Sequence, residues 1–252
     1  MATYAADTRA GSGGGNGHRV LSPSVFLQPL APPASIGLFG FFVATTMVAT
    51  WILGWWGTPK SPAYVFMFAG AMGGLVQFIA GMWSFKARDY IASGILTMWG
   101  TYWMAWAVFQ FLVADKLVPM TPITASQPGF AIWFIPLGLF TLLGAFAALS
   151  PKHGSPALFA LLFTTGVGSL LLCIGLWTGI STWTNVAAWW LLICGCLGWY
   201  VASQFMLRSA WRRTILPFSS FSLDGTIPGR RVVYPTEHAV GQPGVSQGVV
   251  GE

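Results

Sequence analysis

Long apolar runs alternate with short polar connections from residue 36 to residue 207. There are six such runs, and they are Ile36–Trp56, Tyr64–Phe85, Ile91–Ala114, Phe130–Leu149, Pro156–Thr178 and Trp183–Leu207. Each has about the 20 residues that an α-helix needs to cross a hydrocarbon core of about 30 Å. None contains Asp, Glu, Lys, Arg or His, and none shows the short alternating pattern of a β-barrel strand. The pattern therefore predicts an all-α polytopic membrane protein with six transmembrane helices.

The basic residues lie outside these runs and indicate which side of the membrane each connection faces. If the N-terminus is cytoplasmic, the external connections carry only Lys60 and Lys116 of the 12 Lys and Arg residues. The cytoplasmic side then carries the others, which are Arg9, Arg19, Lys86, Arg88, Lys152, Arg208, Arg212, Arg213, Arg230 and Arg231. Because cytoplasmic loops are enriched in Lys and Arg, both termini are predicted to be cytoplasmic. Anchoring beside anionic lipid explains the arginine cluster better than nucleic acid does, and no nucleic-acid partner is expected.

The two ends of the chain differ from the apolar centre. Residues 1–30 are polar and Gly-rich and lack the apolar core of a signal peptide. Residues 218–252 are similarly rich in Gly, Pro and scattered charge. We expect both ends to be disordered cytoplasmic tails around one transmembrane domain, residues 31–217. The longest connection, Asp115 to Gly129, contains three prolines and is expected to form an ordered external loop.

The residues that usually carry enzyme chemistry are absent from the spans. The three histidines all lie outside them, so neither a haem nor a metal site is expected. Cys194 and Cys196 are two residues apart, which places their thiols on different faces of a helix and disfavours a shared metal or a disulfide. Packing is the better interpretation for Cys173, Cys194 and Cys196. A membrane enzyme is therefore the weakest alternative, and no cofactor is expected.

Small and neutral polar residues are the remaining candidates for packing and for contact with a solute. Gly70 and Gly74, and Ala69 and Gly73, form two adjoining strips on the second span, a spacing that lets helix backbones approach closely in lipid. The second strip continues at Gln77, whose side-chain amide is not expected to hydrogen-bond to the backbone of its own helix. Most hydroxyls inside the spans can instead bond to their own backbone, as is expected of Thr or Ser in a helix. The polar candidates for the lining of a pathway are Gln77, Thr45 and Thr46. For Gln77 the alternative role is a hydrogen bond to a neighbouring helix.

Several segments resemble the acetate uptake transporter family, which comprises bacterial succinate–acetate permeases and fungal acetate and ammonia-export relatives. Residues 73–83, Gly-Gly-Leu-Val-Gln-Phe-Ile-Ala-Gly-Met-Trp, are similar to the family's Gly-Gly-x-x-Gln-x-x-Ala-Gly stretch. Residues 97–103, Thr-Met-Trp-Gly-Thr-Tyr-Trp, resemble its Thr-Ser-Tyr-Gly-x-Phe-Trp. Residues 193–195 (Ile-Cys-Gly) and 213–217 (Arg-Thr-Ile-Leu-Pro) resemble its motifs at the last span, and residues 32–38 keep part of its first signature, Asn-Pro-Ala-Pro-Leu-Gly-Leu. The resemblance covers residues 31–217 in one order and spacing.

The resemblance implies six helices around a narrow pathway within each protomer, and a hexamer of such protomers. It also implies movement of acetate or a similar short-chain monocarboxylate, by proton symport or through a channel, with succinate as a substrate of some members. The family's constriction is formed by Phe, Tyr and Leu side chains from the first, third and fifth helices. These correspond to Phe41, Trp99 and Thr165 here, so the first is kept and the other two differ.

Two acidic residues of the family are also missing. Ser84 stands where the family usually has a Glu after the second-helix motif, and the Glu of its sixth helix is replaced near Phe205. With no carboxylate or histidine in the spans, a proton relay made of side chains has no carrier. Proton coupling would then involve the substrate itself, crossing as the neutral acid, or water.

We therefore expect a homo-oligomeric, multi-pass plasma-membrane transporter or channel for a short-chain monocarboxylate, with Phe41 and Trp99 as its apolar gate. Neutral hydroxyl, amide and indole N–H groups can hold a carboxylate weakly enough for passage. Two alternatives remain. One is a transporter of another small solute, such as ammonia, ammonium or succinate. The other is a signalling or scaffolding protein that keeps the fold without transport.

Overall fold

The computed structural model of this protein describes residues 31–58, 61–87, 89–119, 125–150, 155–211 and 215–217. The two predicted tails, residues 1–30 and 218–252, lie outside the described residues. All the described residues belong to one compact unit of the chain. They also fall within the predicted transmembrane domain, residues 31–217.

Six long helical segments account for most of the described residues. They are α1 (Pro33–Ile52), α2 (Val65–Lys86), α3 (Tyr90–Ala114), α4 (Pro128–Ala147), α5 (Pro156–Thr178) and α6 (Ser181–Trp211). The predicted all-α fold with six helices is confirmed. The main differences are at the ends: α1 stops at Ile52 rather than at Trp56, because Gly54 takes a left-handed conformation with φ +72°. At the other end of the domain, α6 continues beyond Leu207 as far as Trp211.

Five of these six helices are long and apolar enough to cross a membrane by length and composition, and α3 is not one of the five. The 25 residues of α3 carry no charge but include three Trp and two Tyr, which lower its average hydropathy. Trp99, Trp103 and Trp106 of this helix are all buried inside the protein. These three tryptophans therefore face other helices.

Local signals at the helix ends agree with the sequence pattern. Proline occupies the first turn of α1, α4 and α5, where its missing N–H has no intrahelical partner to lose. Asp89 caps α3 by accepting a hydrogen bond from Ala92 N at 2.9 Å. Ser155 caps α5 by accepting one from Leu158 N at 3.3 Å. Gly179 ends α5 in a left-handed conformation with φ +70°.

A π-helical segment of eight residues, Ala69–Val76, interrupts α2. α-Helical turns precede it (Pro62–Phe68) and follow it (Gln77–Lys86). π-Helices usually occur as single turns and are frequent at functional sites. The wider turn brings the Met72 carbonyl directly against Gly40 of α1, where a side chain would have no room.

The helices pack in a closed order around the interior. α2 lies between α1 and α3, α5 lies between α4 and α6, and α6 returns to pack along α1. The predicted small-residue strips are used at these contacts. Gly70 and Gly74 face Ala107 and Met104 of α3, whereas Gly73 faces Ala44 of α1. The close helix approach predicted from small-residue spacing is confirmed for α2.

The connection between α3 and α4 is described in part. Residues 120–124 lie outside the described residues, but Ser126 Oγ donates to the Trp177 carbonyl at 2.7 Å. Gln127 N donates to the Leu176 carbonyl at 2.6 Å. The described end of this loop is therefore attached to the last turn of α5, as expected of an ordered loop.

Candidate functional site: a closed aromatic constriction

Phe41 of α1 and Trp99 of α3 meet in the interior of the helix bundle. Their ring centroids are 6.1 Å apart and their planes cross at 75°, an edge-to-face arrangement. Aromatic rings prefer this geometry because the positive ring edge faces the negative ring face. Phe41 is 4% exposed and Trp99 is 3% exposed. The two residues that the sequence assigned to a gate are thus in contact, and we call them the aromatic pair.

The indole of Trp99 is fixed in orientation by α4. Its Nε1–H donates to Thr141 Oγ1 at 2.9 Å, and the Thr141 hydroxyl donates to the Leu137 carbonyl at 2.7 Å. Tyr102 packs edge-on against the same indole, with ring centroids 5.5 Å apart. Since a buried hydrogen bond of this kind contributes about 1 kcal/mol net, Thr141 holds the ring rather than merely touching it. Span hydroxyls were expected to bond to their own helix backbone, and Thr141 does so while also accepting from Trp99.

The third predicted constriction residue, Thr165, is buried on α5 but makes a local bond. Its hydroxyl donates to the Leu161 carbonyl at 2.7 Å. Leu161 itself, one turn earlier and 1% exposed, belongs to the same apolar cluster as Phe41. A Cβ on Gly198 of α6 would lie 3.0 Å from Phe41 Cδ1 and 3.8 Å from Leu161 Cδ1. Phe41 and Leu161 therefore both pack beside Gly198.

Sequence reasoning missed Leu161 because a leucine in a continuous apolar run has no distinguishing signal. Gly198 likewise has no signal in the sequence that places it beside Phe41. Its neighbour across the interface is visible only once α6 is placed against α1.

The two neighbouring threonines of α1 have different surroundings. Thr46 Oγ1 donates to the Phe42 carbonyl at 2.6 Å, and its methyl group packs on Gly195 of α6. Thr45 is 4% exposed, and its Oγ1 has no hydrogen-bond partner among the described residues. The structure therefore gives Thr46 a packing contact and leaves Thr45 with unused hydrogen-bonding capacity.

Gln77 lies at the point where the π-helical segment of α2 returns to α-helix. It is 1% exposed, and within the described part of the chain its Oε1 has no hydrogen-bond partner. A Cβ built on Gly40 of α1 would lie 3.8 Å from the backbone N of Gln77. Gln77 is therefore at the same depth in the bundle as Gly40, which directly precedes Phe41. Its side chain therefore adds a buried polar group without charge to α2 near the level of Gly40.

Ser84 occupies the position where the resemblance placed a glutamate. It is fully buried, and its hydroxyl donates to the Ala80 carbonyl one turn earlier at 2.8 Å. A glutamate would have brought a titrating group to this level of α2. The Ser84 hydroxyl instead hydrogen-bonds to the backbone of its own helix.

Comparisons with known proteins agree with this arrangement. Residues 19–221 match the model of the GPR1/FUN34/yaaH family. The succinate-acetate/proton symporter SatP of Escherichia coli K12 is 28% identical over 188 residues, which cover 75% of this chain and 95% of that protein. Acetate permease A of Emericella nidulans is 29% identical over 167 residues, which cover 64% of this chain and 55% of that protein.

A solved structure gives the same fold. The structure of the bacterial acetate channel SatP superposes with a TM-score of 0.67 at 25% sequence identity, covering 75% of this chain and 99% of that one. The family match spans most of the sequence, and the shared fold includes the helices that carry the aromatic pair. The chain is therefore a multi-pass integral membrane protein that belongs to the GPR1/FUN34/yaaH family of membrane transporters and channels.

Proposed function

We propose that this protein moves acetate, or a monocarboxylic acid of similar size, across the membrane through the interior of each protomer. The observation that carries the proposal is the aromatic pair, two buried rings in contact inside a bundle whose spans carry no Asp, Glu or His. Sequence relatives and a structural relative are named for acetate, which supports the same substrate class.

Size selection follows from the residues at the constriction. Trp99 replaces the smaller tyrosine of the family pattern, and its indole N–H can donate but not accept a hydrogen bond. Because that donor is already bound to Thr141, the indole presents mainly apolar surface to Phe41. We propose that this pair passes acids of two or three carbons and excludes dicarboxylates such as succinate.

Coupling to protons is proposed to reside in the substrate. The six helical spans carry no Asp, Glu or His between their cytoplasmic and external ends. An ionised carboxylate is costly to move into such an interior, whereas the neutral acid is not. A proton would therefore cross as part of the acid.

A homo-oligomer is the expected assembly, and the family resemblance suggests a hexamer. Large apolar side chains cover much of the outer surface, among them Met67, Phe68, Leu143 and Phe146, each more than 60% exposed. Lipid and neighbouring protomers are the two environments that suit such side chains.

Uptake of labelled acetate into proteoliposomes, with and without an inward proton gradient, tests the proposal. Acetic acid also crosses lipid unaided, so vesicles of the same composition without protein provide the baseline. We expect a protein-dependent flux that excess unlabelled acetate or propionate suppresses and succinate does not. Well-assembled protein without any flux above baseline would favour the scaffolding alternative, and flux of ammonium alone would favour a different solute.

A further inference from the structure

The six helices form a ring in which one contact is much less extensive than the others. The ring runs from α1 to α6 in chain order, and α6 returns to pack along α1. α3 and α4 are neighbours in this ring, but their contact is by far the smallest between neighbours. We call the α3–α4 contact the seam. Because packing contacts hold helices together in lipid, the seam is the contact that separates most easily.

Glycine surroundings show that side chains fill the seam. A Cβ on Gly94 of α3 would lie 3.0 Å from Phe140 Cζ of α4. A Cβ on Gly144 of α4 would lie 2.9 Å from Ile95 Cδ1 of α3. At the contact of α3 with α2, by contrast, the atoms nearest to a Cβ on Gly100 belong to the backbone of α2. Side chains can change rotamer as two helices move, so the seam can adjust where the α2–α3 contact cannot.

A single side-chain hydrogen bond crosses the seam among the described residues. Trp99 Nε1–H of α3 donates to Thr141 Oγ1 of α4 at 2.9 Å. The Thr141 hydroxyl proton is directed to the Leu137 carbonyl at 2.7 Å, so the oxygen serves the indole only as an acceptor. Trp99 is 3% exposed and Thr141 is fully buried. Water therefore does not compete for this bond, which we call the seam bond.

Trp99 connects the seam to the aromatic pair. Its ring lies edge-to-face with Phe41 of α1, while its N–H is bound to α4. If α4 moved away from α3, the N–H would lose its acceptor and the indole would gain space on the side of α4. A buried N–H without an acceptor is unfavourable. The seam bond therefore favours the position in which Trp99 lies against Phe41.

We propose that separation of the seam opens the gate, and that Thr141 is the residue that positions Trp99 in the closed state. With the seam bond intact, Trp99 stays against Phe41 until α4 moves. Without the bond, the indole leaves this position more often and larger acids pass. The inference rests on the proposed function, and it adds the helix movement that controls the gate and a residue that sets its selectivity.

Other hydroxyls of the bundle provide a control for Thr141. Thr164 Oγ1 of α5 donates to the Ala160 carbonyl at 2.7 Å, and its printed partners all lie on its own helix. Thr164→Val therefore removes a bond within one helix, whereas Thr141→Val removes such a bond and the seam bond together. Comparison of the two variants isolates the effect of the seam bond.

The ratio of protein-dependent succinate uptake to acetate uptake in proteoliposomes tests the role of Thr141. Thr141→Val retains the approximate shape of the side chain and should raise this ratio at least tenfold. Thr141→Ser retains the acceptor and should leave the ratio within twofold of the native value, as should Thr164→Val. A purely structural role of Thr141 would lower the melting temperature of Thr141→Val without changing the ratio.

A double-mutant cycle tests whether Thr141 acts through the indole N–H. Trp99→Phe removes that donor, so the acceptor has no function in this background. Adding Thr141→Val to Trp99→Phe should then change the uptake ratio less than twofold. An equal increase in both backgrounds would show that Thr141 acts independently of Trp99, which contradicts the inference.

A reversible crosslink tests whether the seam has to separate. In protein whose three native cysteines are replaced by alanine, the pair Ile95→Cys and Gly144→Cys joins α3 to α4 on oxidation. Acetate uptake should fall at least tenfold and return on reduction. The control pair joins α4 to α5 at Gly138→Cys and Leu170→Cys, where a Cβ on Gly138 would lie 3.0 Å from Leu170 Cδ2. Its oxidation should change uptake less than twofold.

The outcomes separate the two proposals. Absence of acetate uptake by the native protein would refute the proposed function. Normal native uptake, together with a Thr141→Val variant that behaves like Thr164→Val, would refute only the role of Thr141. Unchanged uptake after complete oxidation of the α3–α4 pair would refute the movement, and failure of that pair to oxidise would show that the seam is not closed as described. If Thr141→Val did not assemble, the crosslinked pairs would decide the inference.

Discussion

Substituting Gly100 with alanine tests how closely α2 and α3 approach beside the aromatic pair. Gly100 follows Trp99 in the chain, and a Cβ there would lie 2.6 Å from Phe78 N and 2.9 Å from Phe78 Cα. Ordinary van der Waals contacts of a Cβ are 3.4–4 Å, so a methyl group lacks nearly 1 Å of space. The obstructing atoms belong to the backbone, which cannot rotate away as a side chain could.

The expected cost follows from two opposing effects. Overpacking in a well-packed interior destabilises by about 1–3 kcal/mol, and the backbone obstruction places Gly100→Ala near the upper end. Alanine also favours the helix over glycine by about 1 kcal/mol, which offsets part of that loss. We therefore expect a net loss of about 2 kcal/mol in the free energy of unfolding. Acetate flux should change as well, because α3 must move away from α2 and Trp99 moves with it.

Reversible unfolding in mixed micelles measures the first effect and proteoliposome uptake measures the second. Gly129→Ala is the matched control, since no atom lies within 4 Å of its Cβ position. Its stability should change by less than about 0.5 kcal/mol. If Gly100→Ala instead proved more stable than the native protein, by the amount that helix propensity alone predicts, then the close α2–α3 contact described here would be wrong.

Three further predictions concern the gate, the orientation and the coupling. Provided that the variants assemble, Trp99→Tyr should admit larger acids such as succinate, and Trp99→Ala should admit them more readily still. If competition assays with the folded variants showed unchanged selectivity, Trp99 would not line the pathway. A cysteine at Asp115 should react with an impermeant maleimide in intact cells, whereas one at Ala87 should react only after permeabilisation, and the reverse result would invert the topology. Above the pKa of the transported acid, about 4–5 for free carboxyls, the neutral fraction falls tenfold for each pH unit, so flux should fall with it. Acids of different pKa should shift this pH profile correspondingly, and a profile that stayed fixed would reveal a titrating group in the protein.

The fold was largely predictable because few backbone structures are stable inside a bilayer. A charge-free run of about 20 residues has to satisfy its backbone internally, and an α-helix does so within a single segment. Ser155 and Gly179 then mark the ends of α5 through ordinary capping chemistry. The close approach of α2 to its neighbours also followed from local spacing, because small residues such as Gly70, Gly73 and Gly74 let helix backbones approach each other.

The membership of the site was less predictable. Phe41 and Trp99 were identified through family resemblance; their rings meet in the structure, and their role as a gate stays a prediction. The same reasoning reached Thr165 on α5, whose place in a constriction stays a prediction, whereas Leu161, one turn earlier in the apolar cluster of Phe41, was not identified. Helical periodicity limits a residue to a face, but it does not distinguish residues one turn apart on that face.

The sequence by itself therefore determined which segments cross the membrane and that their interiors lack charge, because both properties depend only on residue type along the chain. Tertiary structure decided which hydroxyl and indole groups hydrogen-bond to other residues and which have no hydrogen-bond partner among the described residues. Thr46 and Thr45 are adjacent and chemically identical, yet one bonds to its own backbone and the other lacks a partner in the described structure. The N–H of Trp99 is likewise bound to Thr141, whereas that of Trp103 is not bound to any described residue. Such differences arise because hydrogen bonding depends on the positions of groups on other helices, which no local pattern contains.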